Sequence, residues 1–138
     1  MSKKIKLFNP DFSKNEELAL INTMKSGLWA SGSGSGQVKR FEDLLSKYLR
    51  VKGCVAVNSG TSALHLALSL IDVKGKDVIL PSLSFVSTAH AIIYNGGKPV
   101  FADIDPETLC INPDLIEELI TKKTKAVLPV HFAGQACE

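Results

Sequence analysis

Short apolar runs alternate with amphipathic stretches along the second part of the chain. The apolar runs fall at residues 55–57, 77–80, 99–102 and 126–130, and each has the length of a buried strand. Between the runs, apolar residues recur at helical spacing, as in Leu64, Ala67, Leu68 and Ile71. Strands that alternate with helices in this way predict an α/β fold with βαβ units, which is a mostly parallel sheet covered by helices in three αβα layers.

Two of the predicted helices carry signals for their ends. Asn112 is a suitable N-cap, Pro113 fits the first helical position, and Asp114 places an acid in the first turn. The helix predicted over residues 85–94 is followed by Asn-Gly-Gly at residues 95–97, which is a strong C-terminal stop. These signals fix the positions of the helices that flank the third predicted strand.

The pattern before residue 54 is different. Apolar spacing predicts one helix over residues 13–26 and a second one that contains Val38, Phe41, Leu44, Leu45 and Tyr48. The stretch between them, "SGLWASGSGSGQ", is typical of a mobile loop, and its glycines do not match GxGxxG. The sequence therefore predicts an N-terminal helical segment at residues 1–53 and the first, incomplete part of an α/β domain at residues 54–138.

Composition narrows the classes of function. The chain has 138 residues, 45% of them hydrophobic and 22% charged, with a net charge of +2, which is typical of a soluble globular protein. Its lysines are scattered rather than interleaved with aromatics, which argues against nucleic-acid binding. The most apolar stretch, residues 78–94, is interrupted by polar side chains and Pro81, which argues against a membrane span. Without a signal peptide, we expect a cytoplasmic protein.

The cysteines and the final residues add two expectations. The three cysteines lie far apart without a CxxC pair, so they predict reduced thiols and no zinc or other metal site. The final stretch, "AVLPVHFAGQACE", looks like a strand followed by a loop, and we expect this chain to be a piece of something larger.

The junction "NSGTS" at residues 58–62 is the strongest candidate site. In open α/β sheets, ligands bind beyond the carboxyl ends of the strands. Here the predicted helix starts with Gly60, Thr61 and Ser62, whose amides and hydroxyls form a cup suited to phosphate. The alternative is that Ser59 or Thr61 only caps the helix. From this stretch alone the two interpretations are evenly matched.

Other candidates at the strand ends have structural alternatives. Phe85 follows a strand, where an aromatic side chain can stack on a flat ring, but a place in the core is favoured from the sequence alone. Asp103 and Asp105, in "ADIDPET", are better explained by turn chemistry than by catalysis. His131 has no visible catalytic partner, so a structural role is favoured.

Taken in order, "VAVNSGTSALHLAL", "VILPSLSFVSTAHAIIYNGGKPVFADIDPETLCINPDLIEELIT" and "KTKAVLPVHFAGQ" resemble the DegT/DnrJ/StrS family of sugar aminotransferases. These enzymes use pyridoxal 5′-phosphate and have fold type I, the aspartate aminotransferase-like large domain. The resemblance implies that Gly60, Thr61 and Ser62 hold the cofactor phosphate and that Phe85 stacks on its ring. It also implies that the segment near Trp29 lies close to the nucleotide-sugar entrance.

The resemblance further implies a homodimer that transfers an amino group, usually from glutamate, to a nucleotide-linked keto sugar. In the family, the Schiff-base lysine and the aspartate that pairs with the pyridinium lie beyond the segment that matches Gln135. No lysine of this chain matches that position, so we expect no catalytic residue here and no activity of this chain alone. Two alternatives stay open: a sugar dehydratase of the same family, and a non-catalytic phosphate- or nucleotide-binding module.

Overall fold

A computed structural model of the protein describes residue 6, residues 9–29 and residues 35–138. Contacts between residues divide the chain into two units, Met1–Ala56 and Val57–Glu138. Part of the predicted loop between the first two helices falls on residues 30–34, which lie outside the described residues.

The first unit contains the two predicted helices, α1 (Lys14–Ser26) and α2 (Gly36–Leu49). Ser13 begins α1 with a capping box, in which its hydroxyl accepts the N–H of Asn15 at 3.1 Å and the Glu16 carboxylate accepts the N–H of Ser13 at 2.6 Å. Both helix predictions are confirmed.

The second unit is an α/β arrangement built on three parallel strands. Its elements, in chain order, are α3 (Gly60–Ser69), β1 (Asp77–Pro81), α4 (Val86–Tyr94), β2 (Lys98–Ala102), α5 (Pro113–Leu119), β3 (Thr124–Val127) and a short 3₁₀ turn (Phe132–Gly134). The strand order is β2-β1-β3, and Ile79 in the central strand pairs with Val100 and Val127. The parallel sheet predicted from the βαβ pattern is confirmed.

Alternating side chains of β1 divide the core into two layers. Val78 and Leu80 face a cluster that includes Leu68 of α3 and Ile92 of α4. On the other side, Ile79 joins a cluster with Ala102 and Ile111, against which Ile116 and Leu119 of α5 pack. Strands covered by helices on both faces give the predicted three-layer αβα fold.

One predicted strand is wrong. Residues 55–57 form no ladder with the described strands, and Val55 and Val57 are 74% and 40% exposed. An apolar run becomes a strand only where a neighbouring strand accepts its hydrogen bonds, and none of β1 to β3 does so. The last run is also displaced, since β3 begins at Thr124 and ends at Val127.

The predicted helix ends are confirmed. The Asn112 side chain accepts the N–H of Asp114 at 3.0 Å, and Pro113 starts α5. After α4, Gly96 has φ +75°, and the N–H of Gly97 bonds to the carbonyl of Ile92 at 2.9 Å. The Asn95 amide donates to the carbonyls of His65 and Ala91 at 3.1 and 2.8 Å, which ties α3 to α4.

None of the helices in the described ranges has the length and apolar character that spanning a membrane requires.

Gly97 provides a test of how tightly α4 is packed. A Cβ at this position would lie 2.9 Å from Cγ2 of Ile92 and 3.2 Å from the carbonyl oxygen of Val73. Because both neighbours are buried, we expect Gly97→Ala to lower the free energy of unfolding by about 1–3 kcal/mol in urea denaturation. Gly53→Ala is the control, since its Cβ would meet nothing within 4 Å. Equal unfolding midpoints for the two variants would contradict this description of the core.

Candidate functional site

The carboxyl ends of the three strands meet at one edge of the sheet. In the ladder β1 ends at Pro81 opposite Ala102, the last residue of β2. Hydrogen bonds from Ser82 N–H to Ala102 O at 3.1 Å and from Leu128 N–H to Ile79 O at 2.7 Å carry the pairing to this edge. The segments after these strands therefore share one edge, as predicted for ligand binding in a parallel sheet.

A side-chain network closes the start of α3. Ser59 is the N-cap, and its hydroxyl accepts the N–H of Ser62 at 3.1 Å. The Ser62 hydroxyl donates to Oδ1 of Asn58 at 2.8 Å and lies 3.0 Å from the Ser59 hydroxyl. The capping alternative is therefore correct for Ser59. The backbone N–H and the hydroxyl of Ser62 are therefore both hydrogen-bonded within this network.

Three donors at the same helix start stay open. The N–H groups of Gly60 and Thr61 and the hydroxyl of Thr61 have no hydrogen-bond partner in the part of the chain that the structure describes. Both residues are exposed, and a Cβ on Gly60 would meet nothing within 4 Å, so a ligand can approach the backbone closely. Open amides at the positive end of a helix favour an anion. Capping by Ser59 and anion binding by its neighbours are thus compatible.

Phe85 is a surface residue rather than a core residue. It occupies the N-cap position of α4 and its side chain is 75% exposed, so the core alternative is wrong. Its backbone is held in place, because its carbonyl accepts the N–H of Thr88 at 3.0 Å and the adjacent Ser84 hydroxyl bonds to that of Thr88 at 2.6 Å. An exposed ring on a fixed backbone is available for stacking.

The two aspartates after β2 act in a turn, as predicted. Asp103 accepts the N–H of Ile104 at 2.8 Å. Asp105 accepts the N–H groups of Glu107 and Thr108 at 2.9 and 2.8 Å. The hydrogen bond from the Thr108 N–H, foremost, lowers the pKa of the Asp105 carboxyl.

His131 has a structural partner. Its Nδ1 accepts the backbone N–H of Cys137 at 3.1 Å and lies 3.3 Å from the Cys137 sulfur. Burial raises the pKa of the Cys137 thiol, and the hydrogen bond to the Cys110 thiol raises it further. A raised pKa keeps Cys137 in the unreactive thiol form. The three cysteines are free thiols.

The network around Asn58 is the part of the site that the sequence did not predict. A serine three residues before another at a helix start is a capping signal, and it could have assigned Ser59 and Ser62 to each other. In the described residues, no group of three or more His, Cys, Asp or Glu side chains is placed to hold a metal ion.

A parallel sheet covered by helices, with open amides at a helix start and an exposed aromatic ring, is typical of α/β domains that bind ligands at their helix starts. The model of the DegT/DnrJ/EryC1/StrS aminotransferase family matches residues 10–138. The chain belongs to this family.

Individual relatives support this assignment. The chain is 44% identical over 130 residues to the spore coat polysaccharide biosynthesis protein SpsC of Bacillus subtilis, covering 94% of this chain and 33% of that protein. It is 38% identical over 135 residues to the GDP-perosamine synthase of Vibrio cholerae, covering 97% and 36% of the two chains. The chain spans about a third of the length of these curated relatives.

Solved structures give the same fold and a cofactor. A sugar aminotransferase described as putative, Spr1654 of Streptococcus pneumoniae, matches with a TM-score of 0.85 and 34% identity, over 99% of this chain and 34% of that one. It was solved with pyridoxal phosphate and in the pyridoxamine phosphate form. The family and these forms indicate pyridoxal phosphate as the cofactor. The open donors of Gly60 and Thr61 are of the kind that binds a phosphate, and the exposed ring of Phe85 is available for stacking.

Asp105 gives the turn a pH dependence. Because hydrogen bonds lower the pKa of Asp105 in the folded state, its stabilisation is present above the ordinary aspartate pKa of about 3.9 and is lost as pH falls through the lowered value. We expect Asp105→Asn, which keeps an accepting oxygen, to flatten the fall in unfolding midpoint below about pH 4. Glu118→Gln at an exposed helical position is the control. If Asp105→Asn follows the wild-type pH profile, the turn assignment fails.

Proposed function

We propose that this chain is the N-terminal, cofactor-binding part of a pyridoxal-phosphate-dependent aminotransferase. The whole protein would move an amino group from an amino acid, glutamate, to a nucleotide-linked keto sugar. The observation that carries the proposal is the set of open donors on Gly60 and Thr61 in a chain of this family. A GDP-perosamine synthase, 38% identical, supports a nucleotide-linked sugar as the acceptor. A 3-oxo-glucose-6-phosphate:glutamate aminotransferase, 40% identical, supports glutamate as the amino donor.

Each site residue has a distinct role in this proposal. Gly60 and Thr61 bind the cofactor phosphate through amides and one hydroxyl. Ser62 contributes by holding Asn58 and Ser59, which shapes the start of α3. Phe85 covers one face of the pyridine ring. Bound pyridoxal phosphate supplies the chemistry, because it carries the amino group and withdraws electrons from the reacting carbon.

Trp29 is proposed to lie near the nucleotide-sugar entrance. Its side chain is 73% exposed, while its indole N–H donates to the carbonyl of Met24 at 3.1 Å. That hydrogen bond fixes one edge of the ring to α1 and leaves its faces open for contact with a base or sugar.

The remaining catalytic groups are proposed to come from other parts of the whole protein. These are the lysine that forms the Schiff base, the aspartate that pairs with the pyridinium, and residues from a second subunit of a homodimer. We propose a cytoplasmic location, in keeping with three free thiols. This chain alone is therefore expected to bind cofactor without turning over substrate.

The reaction class is tested with the whole protein loaded with pyridoxal phosphate and given glutamate without a sugar. We expect one 2-oxoglutarate per subunit, because the amino group passes to the cofactor and no sugar accepts it. Adding a keto nucleotide-sugar should restart the release of 2-oxoglutarate and form an amino sugar. Cofactor-free protein is the control. Bound cofactor without any 2-oxoglutarate would reject the aminotransferase and favour the dehydratase.

The cofactor site is tested on this chain with pyridoxamine 5′-phosphate, which cannot form Schiff bases with surface lysines. We expect affinity of roughly millimolar order, with amide resonances of Gly60 and Thr61 shifting in NMR titration. Thr61→Val should weaken binding about tenfold by removing one hydrogen bond to a charged group. Phe85→Leu should weaken it by a factor of roughly two to ten through lost stacking.

Two controls make this titration specific. Pyridoxamine without phosphate should not shift Gly60 or Thr61. Ser69→Ala removes a hydroxyl at the other end of α3, where it bonds to Leu66 O at 2.7 Å, and should leave affinity unchanged. Equal binding of the phosphorylated and unphosphorylated compounds would rule out the phosphate cup.

A further inference from the structure

A cleft of about 600 Å³ lies at the amino edge of the sheet, where the strands begin. Lys98, Lys122 and Lys123 line it together with one carboxylate, that of Asp77. The formal charge of this lining is +2, equal to the net charge of the whole chain. Positive charge therefore exceeds negative charge in this lining, which contains none of the residues of the candidate phosphate site. We name this feature, defined by these four residues, the lysine cleft.

The backbone around the lysine cleft is rigidly connected. Three turns meet there, and backbone hydrogen bonds cross-link them from Gly75 N–H to Gly96 O at 2.8 Å, from Lys98 N–H to Lys76 O at 2.8 Å, and from Asp77 N–H to Lys123 O at 3.0 Å. Each of these three amides therefore already donates to a carbonyl of the protein. The lysine ammonium groups are the charged donors that the cleft offers to a ligand.

The ammonium groups of the lysine cleft are not neutralised by the protein. In the described ranges, the ion pair that forms is Lys39–Asp43 on α2, and no carboxylate pairs with Lys98, Lys122 or Lys123. Three like charges on a fixed frame repel one another, and that repulsion is relieved when a polyvalent anion enters. Lysine ammonium groups act as point charges on phosphate, without the planar fork that favours carboxylate.

We propose that the lysine cleft binds a small anion of the oligophosphate class, at a site separate from the cofactor site. The cleft volume falls within the range of small-molecule sites, and its opening to solvent suits a hydrated anion. Gly75, Gly96 and Gly97 line the cleft between the lysines, so their amide resonances can report an anion that binds there. This inference does not depend on the proposed enzyme function.

The test is titration of the ¹⁵N-labelled chain with inorganic pyrophosphate. We expect the amides of Gly75, Gly96 and Gly97 to shift and those of Gly60 and Thr61 to stay in place. The triple variant Lys98→Gln, Lys122→Gln, Lys123→Gln should weaken binding by about tenfold or more, since each charge pair in water contributes a modest Coulomb attraction. Raising the salt concentration should weaken binding of the wild-type chain in the same direction.

The matched control removes the same charge from the first unit, as Lys14→Gln, Lys25→Gln and Lys47→Gln, and should change affinity less than twofold. Equal loss in both triple variants would overturn the proposal, because net charge alone would then explain binding. Shifts centred on Gly60 and Thr61 would overturn it in favour of the cofactor site. The chain could instead sediment with phosphatidylglycerol vesicles while pyrophosphate shifts none of its amide resonances. That result would also overturn the proposal, because the phosphate that the cleft binds would then belong to a lipid surface.

Discussion

The parallel pairing of β1 with both of its neighbours is the constraint on which the rest of the second unit depends. Parallel pairing brings all three strand starts to one edge and all three strand ends to the other. β1 has neighbours on both edges, so its two faces are left for helices to cover, and Val78, Ile79 and Leu80 are fully enclosed. α3 and α4 pack on one face, and α5 packs on the other.

The two candidate sites differ in chemistry because different groups are left unpaired at each. At the start of α3 the first amides have no partner in the described residues, so that site offers the backbone donors of Gly60 and Thr61. Chain arriving at the amino edge comes through tight turns that use their own amides, as at Gly75 and Asp77. The cationic groups that can bind a ligand there are the side chains of three lysines.

Sequence reasoning succeeded where the signal is local. Asn112 caps the start of a helix with its side chain, and the ring of Pro113 fits the first helical position. The glycines after Asn95 end a helix because their backbone adopts positive φ angles easily. Neighbouring residues are therefore enough to predict both helix ends. It failed at residues 55–57, because a strand exists only through a partner that is distant in sequence. Phe85 was ambiguous for the same reason, since its exposure depends on which segments cover α4.

At the candidate site, the sequence indicates which residues lie at the start of α3 but not how their hydrogen bonds are shared. Gly60, Thr61 and Ser62 form one motif, yet Ser59 takes the amide of Ser62, and Asn58 takes its hydroxyl. Which donor is left open depends on side-chain rotamers, which residue identity does not fix. The result is a cup of two amides and one hydroxyl, smaller than the motif alone indicates.

The small number of open donors limits how tightly this segment can hold a cofactor. Each hydrogen bond to a charged phosphate contributes about 1.5–3 kcal/mol, and stacking on Phe85 adds about 0.5–1.5 kcal/mol. Association costs at least about 4 kcal/mol in lost translational and rotational freedom, so the balance corresponds to roughly millimolar affinity. An enzyme that retains its cofactor through many turnovers needs more than that. In the proposed whole protein, the covalent bond to lysine and the ion pair to the pyridinium would supply the difference, and the residues described here would determine where the phosphate and the ring lie.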